Sequence, residues 1–186
     1  MKCSVFIATS VDGYIARPNG DIDWLQSAGN PEADMRENPD MGFVDYFSTI
    51  DCMIMGRKCM EVISSMDLTE EQWPYGDSHI VVLSNTLKTP PENMKDKVQM
   101  YSGYLLDLVQ QLESDGYKHA YIDGGTTITS FINQKLINEI IITRTPILLG
   151  EGIPLFGHII QDIKLDKSEA IVFPNDFIQV KYTVNY

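Results

Sequence analysis

Along this chain, short apolar runs alternate with segments in which apolar residues recur at intervals of three and four. Residues 4–8 form an apolar run closed by Asp12-Gly13 and read as a buried strand. Residues 14–16 resume it before the turn signal Pro18-Asn19-Gly20. Residues 26–41 are polar and rich in Asn, Pro and Glu, which predicts a long loop of the kind that often lines a binding site. Phe43, Tyr46, Phe47 and Ile50 then fall at i, i+3, i+4 and i+7, the spacing of a short amphipathic helix. Residues 52–55 predict a second buried strand. Gly56-Arg57-Lys58 ends it and opens a helix with apolar positions Cys59, Val62, Ile63 and Met66.

The alternation continues. Residues 80–83 and 98–101 read as strands, separated by a loop over 88–97. Leu105, Leu108, Val109 and Leu112 have helical spacing, and Gly116 supplies a stop. Residues 120–122 predict a strand that meets Asp123-Gly124-Gly125, after which Ile128, Phe131, Ile132 and Leu136 mark another helix. Residues 140–143 predict a strand, which residues 146–149 extend or follow, and residues 150–157 a glycine-rich loop. The segments 164–173 and 177–184 predict an antiparallel pair about a turn at Pro174-Asn175-Asp176. Strands alternating with helices predict an α/β fold: a largely parallel sheet, an antiparallel C-terminal edge, and helices on both faces.

Composition narrows the function classes. The 186 residues, 44% hydrophobic and 22% charged, suit a single globular domain spanning 1–186. A net charge of −12 argues against a nucleic-acid surface or an anionic membrane as partner, and leaves a small molecule. No apolar run reaches membrane-spanning length. Cys3, Cys52 and Cys59, odd in number and without a C-x-x-C, read as reduced thiols of a cytoplasmic protein. His79, His119 and His158 lack metal-ligand spacing, so no metal is expected.

Three strand ends carry suggestive groups. Gly124-Gly125-Thr126-Thr127 forms a strand–glycine–helix junction, which is either a cradle for a phosphate or only a turn. Gly56-Arg57-Lys58 is a second such junction with two cations in a first helical turn, where the helix dipole disfavours them. Ser84-Asn85 adds hydrogen-bonding side chains. Ligands of parallel α/β sheets bind beyond the carboxyl ends of the strands, so neighbouring strands would merge these junctions into one groove. The G-x-G-x-x-G fingerprint, the P-loop and the zinc signatures are absent.

Residues 5–16 (VFIATSVDGYIA), Trp24, 55–61 (MGRKCME), 82–85 (VLSN) and 121–156 (YIDGG through GEGIPLF) resemble the dihydrofolate-reductase-like superfamily. The resemblance is nearer to the branch holding the reductase domain of the bifunctional riboflavin-biosynthesis deaminase-reductase. It implies an eight-stranded, twisted, mostly parallel sheet, NADPH as hydride donor, and a homodimer. It also implies that Ala8 and Ile15 flank the nicotinamide and that Gly56, Arg57 and Lys58 hold phosphates near the adenosine. Ser84 and Asn85 would lie by the adenosine ribose or its 2′-phosphate, and Gly124, Gly125, Thr126 and Thr127 against the pyrophosphate. No deaminase segment accompanies the reductase-like one.

The resemblance makes the chain an NADPH-dependent reductase of a pteridine- or ribosylaminopyrimidine-type substrate. The substrate proton would come from water or from one acidic side chain: Asp12, at the first turn over the site, or Asp40, near the place of the carboxylate under the pterin ring in dihydrofolate reductases. Asp40 reads as a helix N-cap first and as a pterin or pyrimidine partner second. Trp24, Trp73 and Tyr75 either wall the substrate or pack the core. Arg17, Arg36 and Arg144 are the cations open to a substrate phosphate. The alternatives are a dihydrofolate reductase proper, a reductase of an unrelated carbonyl or imine, and a nucleotide-binding protein without catalysis.

Overall fold

Residues 52–55 are apolar without alternation, the mark of a strand covered on both faces. The computed structural model describes every residue from Met1 to Tyr186. In chain order its elements are β1 (Lys2–Thr9), β2 (Tyr14–Ala16), α1 (Trp24–Ser27), α2 (Phe43–Phe47), β3 (Cys52–Gly56), α3 (Arg57–Ser65) and β4 (His79–Leu83). There follow β5 (Gln99–Tyr101), α4 (Leu105–Ser114), β6 (His119–Asp123), α5 (Gly125–Asn133), β7 (Glu139–Arg144), β8 (Ile153–Pro154), β9 (Lys164–Val172) and β10 (Ile178–Asn185). Eight strands form one sheet in the order β5-β4-β3-β6-β1-β7-β10-β9, parallel from β5 to β7 and antiparallel from β7 to β9. This is the expected mostly parallel sheet with its antiparallel C-terminal edge. β2 and β8 pair separately, antiparallel.

Side chains alternate along β3 and feed two cores. Cys52 and Ile54 pack with Leu108 and Leu112 of α4 and with Ile128 and Phe131 of α5. Met53 and Met55 pack on the other face with Tyr46 of α2 and Met60 of α3. All four β3 side chains are shut off from solvent. No helix is long and apolar enough to cross a membrane.

Three sequence expectations change. Helix α2 ends at Phe47 rather than running to Ile50. The Ser48 and Thr49 hydroxyls donate to the Asp45 and Tyr46 carbonyls at 2.7 Å, which diverts the last turn. Residues 146–149 form no strand: Pro146 has no N–H to give, and Ile147 makes one backbone bond to Val11. The glycine-rich segment 150–157, expected to be loop throughout, contains β8.

The glycine junction after β6 is built as the sequence suggests. Gly124 has φ +92°, and a Cβ there would lie 2.6 Å from Cys59 Sγ. A Cβ on Gly125 would lie 2.5 Å from the Pro154 carbonyl oxygen. The β6–α5 turn is therefore wedged between α3 and β8, with no room for a side chain. Gly124→Ala should cost on the order of 1–3 kcal/mol from backbone strain alone, read as a lower urea midpoint at unchanged m-value.

At the amino-terminal ends of the strands, Ser4 Oγ lies 2.7 Å from Tyr46 Oη and 2.7 Å from His119 Nε2. His119 Nδ1–H donates to the Thr49 carbonyl at 3.0 Å, so Nε2 accepts from Ser4. Burial, and after it the charge of Lys2, lowers the His119 pKa below its usual 6.5. The unfolded chain therefore takes up this proton first, and stability is lost as pH falls from about 6.5 towards the lower folded pKa. Denaturant midpoints measured between pH 8 and 5 should fall in the native chain and flatten over that window in His119→Asn.

Candidate active site

Strand β1 stays beside β7 from Ser4 to Thr9 but pairs with β6 only from Lys2 to Ser4. Beyond Tyr121 the two central strands part. The Tyr121 hydroxyl spans the split, donating to the Phe6 carbonyl at 2.9 Å. A cavity of about 860 Å³ opens there and runs along the carboxyl ends of β1, β6, β3, β4 and β5. This edge is where parallel α/β sheets bind ligands.

Of the residues expected at the site, Ala8, Ile15, Gly56, Arg57, Lys58, Ser84, Asn85, Gly124, Gly125, Thr126 and Thr127 all line this one cavity. The two glycine turns touch: a Cβ on Gly56 would lie 3.0 Å from Thr127 Oγ1. The first-turn N–H groups of α3 and α5 have no partner within their helices. The strand order fixes the polarity of the groove. Ala8 and Asp123 stand at one end, Ser84 and Ser102 at the other.

Three expectations need correction. Asp12 does not line the cavity. Its carboxylate accepts from Leu149 N–H at 3.1 Å and Gly150 N–H at 2.7 Å, tying the β1–β2 turn to the loop after β7. Hydrogen bonds, the Ser10 hydroxyl first, pull its pKa down to about 2, which suits a clamp and not a proton donor. Asp40 is also outside the cavity, accepting from Gly42 N–H at 3.2 Å and Val44 N–H at 2.6 Å at the start of α2. The N-cap residue itself is Gly42, and Asp40, two residues earlier, satisfies N–H groups of the helix start from outside it. Trp24 is 0% exposed and lines nothing; its Nε1–H is buried without a partner.

The acidic group at the site is Asp123, which as a sequence feature was only the first residue of a turn. It ends β6 in the split, half-buried, and its removal from water raises its pKa. The same burial, and then the Asp123 charge, push the neighbouring Cys59 thiol and Tyr75 hydroxyl upward, so neither ionises readily. Only a three-dimensional fact, the parting of β1 from β6, distinguishes Asp123 from an ordinary turn residue.

The cation pair has a local partner that sequence spacing allows but did not single out. Arg57 Nε is 3.4 Å and Lys58 Nζ 3.3 Å from the Glu61 carboxylate, one turn along α3. Arg57 also reaches the Thr86 hydroxyl at 3.5 Å, towards the β4 end of the groove. The apolar stripe of α3, Cys59, Val62, Ile63 and Met66, forms cavity wall, while Met60 alone of this helix is core.

The family model of the RibD C-terminal domain matches residues 2–178. The chain is 30% identical to the uncharacterized protein YwjB of Bacillus subtilis, over 88% of this chain and 87% of that one. It is similar to the solved structure of a candidate riboflavin biosynthesis protein from Shewanella sp. PV-4, 40% identical with a TM-score of 0.89 over the whole of both chains. Dihydrofolate reductase from Enterococcus faecalis, solved in complex with NADP(H) and RAB-propyl, superposes with a TM-score of 0.65 at 16% identity, covering 100% of this chain and 97% of that one. The sheet is thus of the dihydrofolate-reductase-like kind. With a split central sheet, paired glycine turns and a match along nearly all its length, the chain belongs to the RibD C-terminal domain family.

Proposed function

We propose that the protein is an NADPH-dependent reductase of a small pteridine- or pyrimidine-type heterocycle. The observation that carries this reading is the single cavity receiving both glycine turns at one edge of the sheet. The residues present fit a dinucleotide diphosphate. Gly124 and Gly125 have no space for a Cβ and leave backbone N–H groups bare for a pyrophosphate, with Thr126 and Thr127 beside them. Gly56, Arg57 and Lys58 take the adenosine-side phosphates, and Ser84 and Asn85 the ribose. Ala8 and Ile15 flank the nicotinamide, which when bound supplies a hydride.

The protein's own part is to orient, to exclude water and to provide a proton. A C=N or C=O group of the substrate lies in the split between β1 and β6. As its carbon gains the hydride, its nitrogen or oxygen takes a proton from Asp123 Oδ, and the double bond becomes single. Asp123 thereby replaces Asp12 and Asp40 as proton source. A dihydrofolate reductase proper is the weaker reading, because Asp40, its expected ring partner, is used in capping α2. The reading includes a cytoplasmic homodimer, for which sedimentation is the test.

The experiment is titration with NADPH and NADH followed by NADPH oxidation against a heterocycle panel. Tight NADPH binding without turnover of any substrate would leave a nucleotide-binding protein. Arg57→Ala should weaken NADPH binding about tenfold, since it removes a charge-assisted contact to a cofactor phosphate. Asp123→Asn should lower kcat by on the order of 10²-fold or more with NADPH affinity retained. In the native enzyme kcat should fall as pH rises through the raised Asp123 pKa. The stability sign is opposite to that of a paired carboxylate. The unfolded chain releases this proton from about 3.8 upward and the folded chain only later, so ionisation of Asp123 costs stability above that pH. Asp123→Asn should therefore melt higher than the native chain at pH 7 and alike near pH 3.

A further inference from the structure

The substrate end of the groove has a composition that separates the two substrate types the reductase reading admits. Among all residues lining the cavity the cations are Arg57 and Lys58 and the one acid is Asp123. Both cations stand on the first turn of α3 and share Glu61, and Arg57 reaches Thr86 beyond β4, away from β1. The β1 end is different. Phe6 and Phe43 meet edge to face at 5.6 Å, Phe43 stacks on Phe47 at 5.5 Å, and Phe47 abuts Tyr75 at 5.8 Å. Ile22 and Leu25 close the same cavity from the segment around α1.

No cation lines this end of the cavity. Arg17, nearest in sequence to the lining residue Ala16, is held by the Asp23 carboxylate through two bonds of 2.6 and 3.0 Å. Arg36 is held by Asp34, and Arg144 does not reach the cavity. The helix mouths of α3 and α5 adjoin each other at Gly56 and Thr127, on the cofactor's side. A phosphate monoester brought against the Phe6–Phe43 wall would carry nearly two negative charges into apolar surroundings beside Asp123, with nothing to offset them.

Building on the reductase reading, we infer that the substrate end accepts an uncharged planar heterocycle and has no site for a substrate phosphate. The flat ring lies against the aromatic wall, where stacking needs no charge, and its polar edge meets Asp123. The phosphorylated ribosylaminopyrimidines are then not substrates of this chain, although the family shares their fold.

The test uses the full chain. NADP⁺ is titrated first; failure to bind it would count against the reductase reading and not against this inference. The NADP⁺-saturated protein is then challenged with a neutral pterin, with 5-amino-6-ribosylaminouracil, and with the 5′-phosphate of the latter, by thermal shift and calorimetry. The expected result is a shift with the pterin, and a phosphate compound that binds no better than its dephosphorylated counterpart. A phosphate compound binding about tenfold tighter than that counterpart would overturn the inference, as would no shift with the neutral pterin at millimolar concentration. Ile22→Lys, at an exposed position on the cavity rim, should by itself create a preference for the phosphate compound of about tenfold. An unchanged ratio would show that missing charge is not what rejects phosphate.

Discussion

The site exists because β1 cannot keep both of its neighbours. It follows β7 through Thr9 and leaves β6 after Ser4. Two parallel strands that separate expose backbone N–H and C=O groups that the sheet no longer pairs. The Tyr121 hydroxyl satisfies one of them, the Phe6 carbonyl, and props the split open. Parallel order then does the rest. It brings the carboxyl ends of five strands and the starts of α3 and α5 to one edge, where unpaired helix N–H groups favour anions. The two helix starts can adjoin only because Gly56 and Gly124 present no Cβ to Thr127 and Cys59.

Charge is distributed sparingly along this edge. In a chain of net charge −12, Arg57 and Lys58 are the only positive side chains of the groove, and Glu61 shares both. Exposed pairs of this kind contribute little to stability, so Glu61 acts chiefly to hold two like charges in place at a helix start that disfavours them. A phosphate arriving there competes with one weak, solvated partner. At the other end the situation reverses. Asp123 meets no cation and is partly withdrawn from water, which raises its pKa above that of a solvated carboxyl.

The architecture was largely legible in the chain, since it depends on local pattern: unbroken apolar runs for doubly covered strands, helical spacing for α3, α4 and α5. The glycine junctions were legible too, because Gly-Gly after a strand has few uses. What could not be read depends on where strands diverge. Asp123 looks like a turn residue until the gap beside β1 is known, and Asp12 looks catalytic until its two backbone partners after β7 are known. Trp24 shows a third limit. An aromatic in a short polar context fits a pocket wall or a core equally well, and Trp24, at the start of the one-turn helix α1, is fully buried.

Helix α3 illustrates why the same pattern can mean core or cavity. Its stripe of Cys59, Val62, Ile63 and Met66 has the spacing that elsewhere marks packing, yet it faces open groove, and Met66 remains 45% exposed. A helix of nine residues holds its shape by tertiary contacts rather than by propensity. Here those contacts are Met60 in the core, Cys59 and Ile63 packed against its edge, and two hydrogen bonds between Ser64 and Asn93. The part of the stripe that faces the groove is apolar surface left uncovered, worth about 25 cal/mol per Å² to any ligand that covers it. Stability forgone at α3 and at Asp123 is supplied by the opposite face, where Leu108, Leu112, Ile128 and Phe131 are closed over β3. A planar ligand that covers the stripe gains the apolar contact that the fold has left unmade, and this is a physical reason for the groove to bind a flat ring at all.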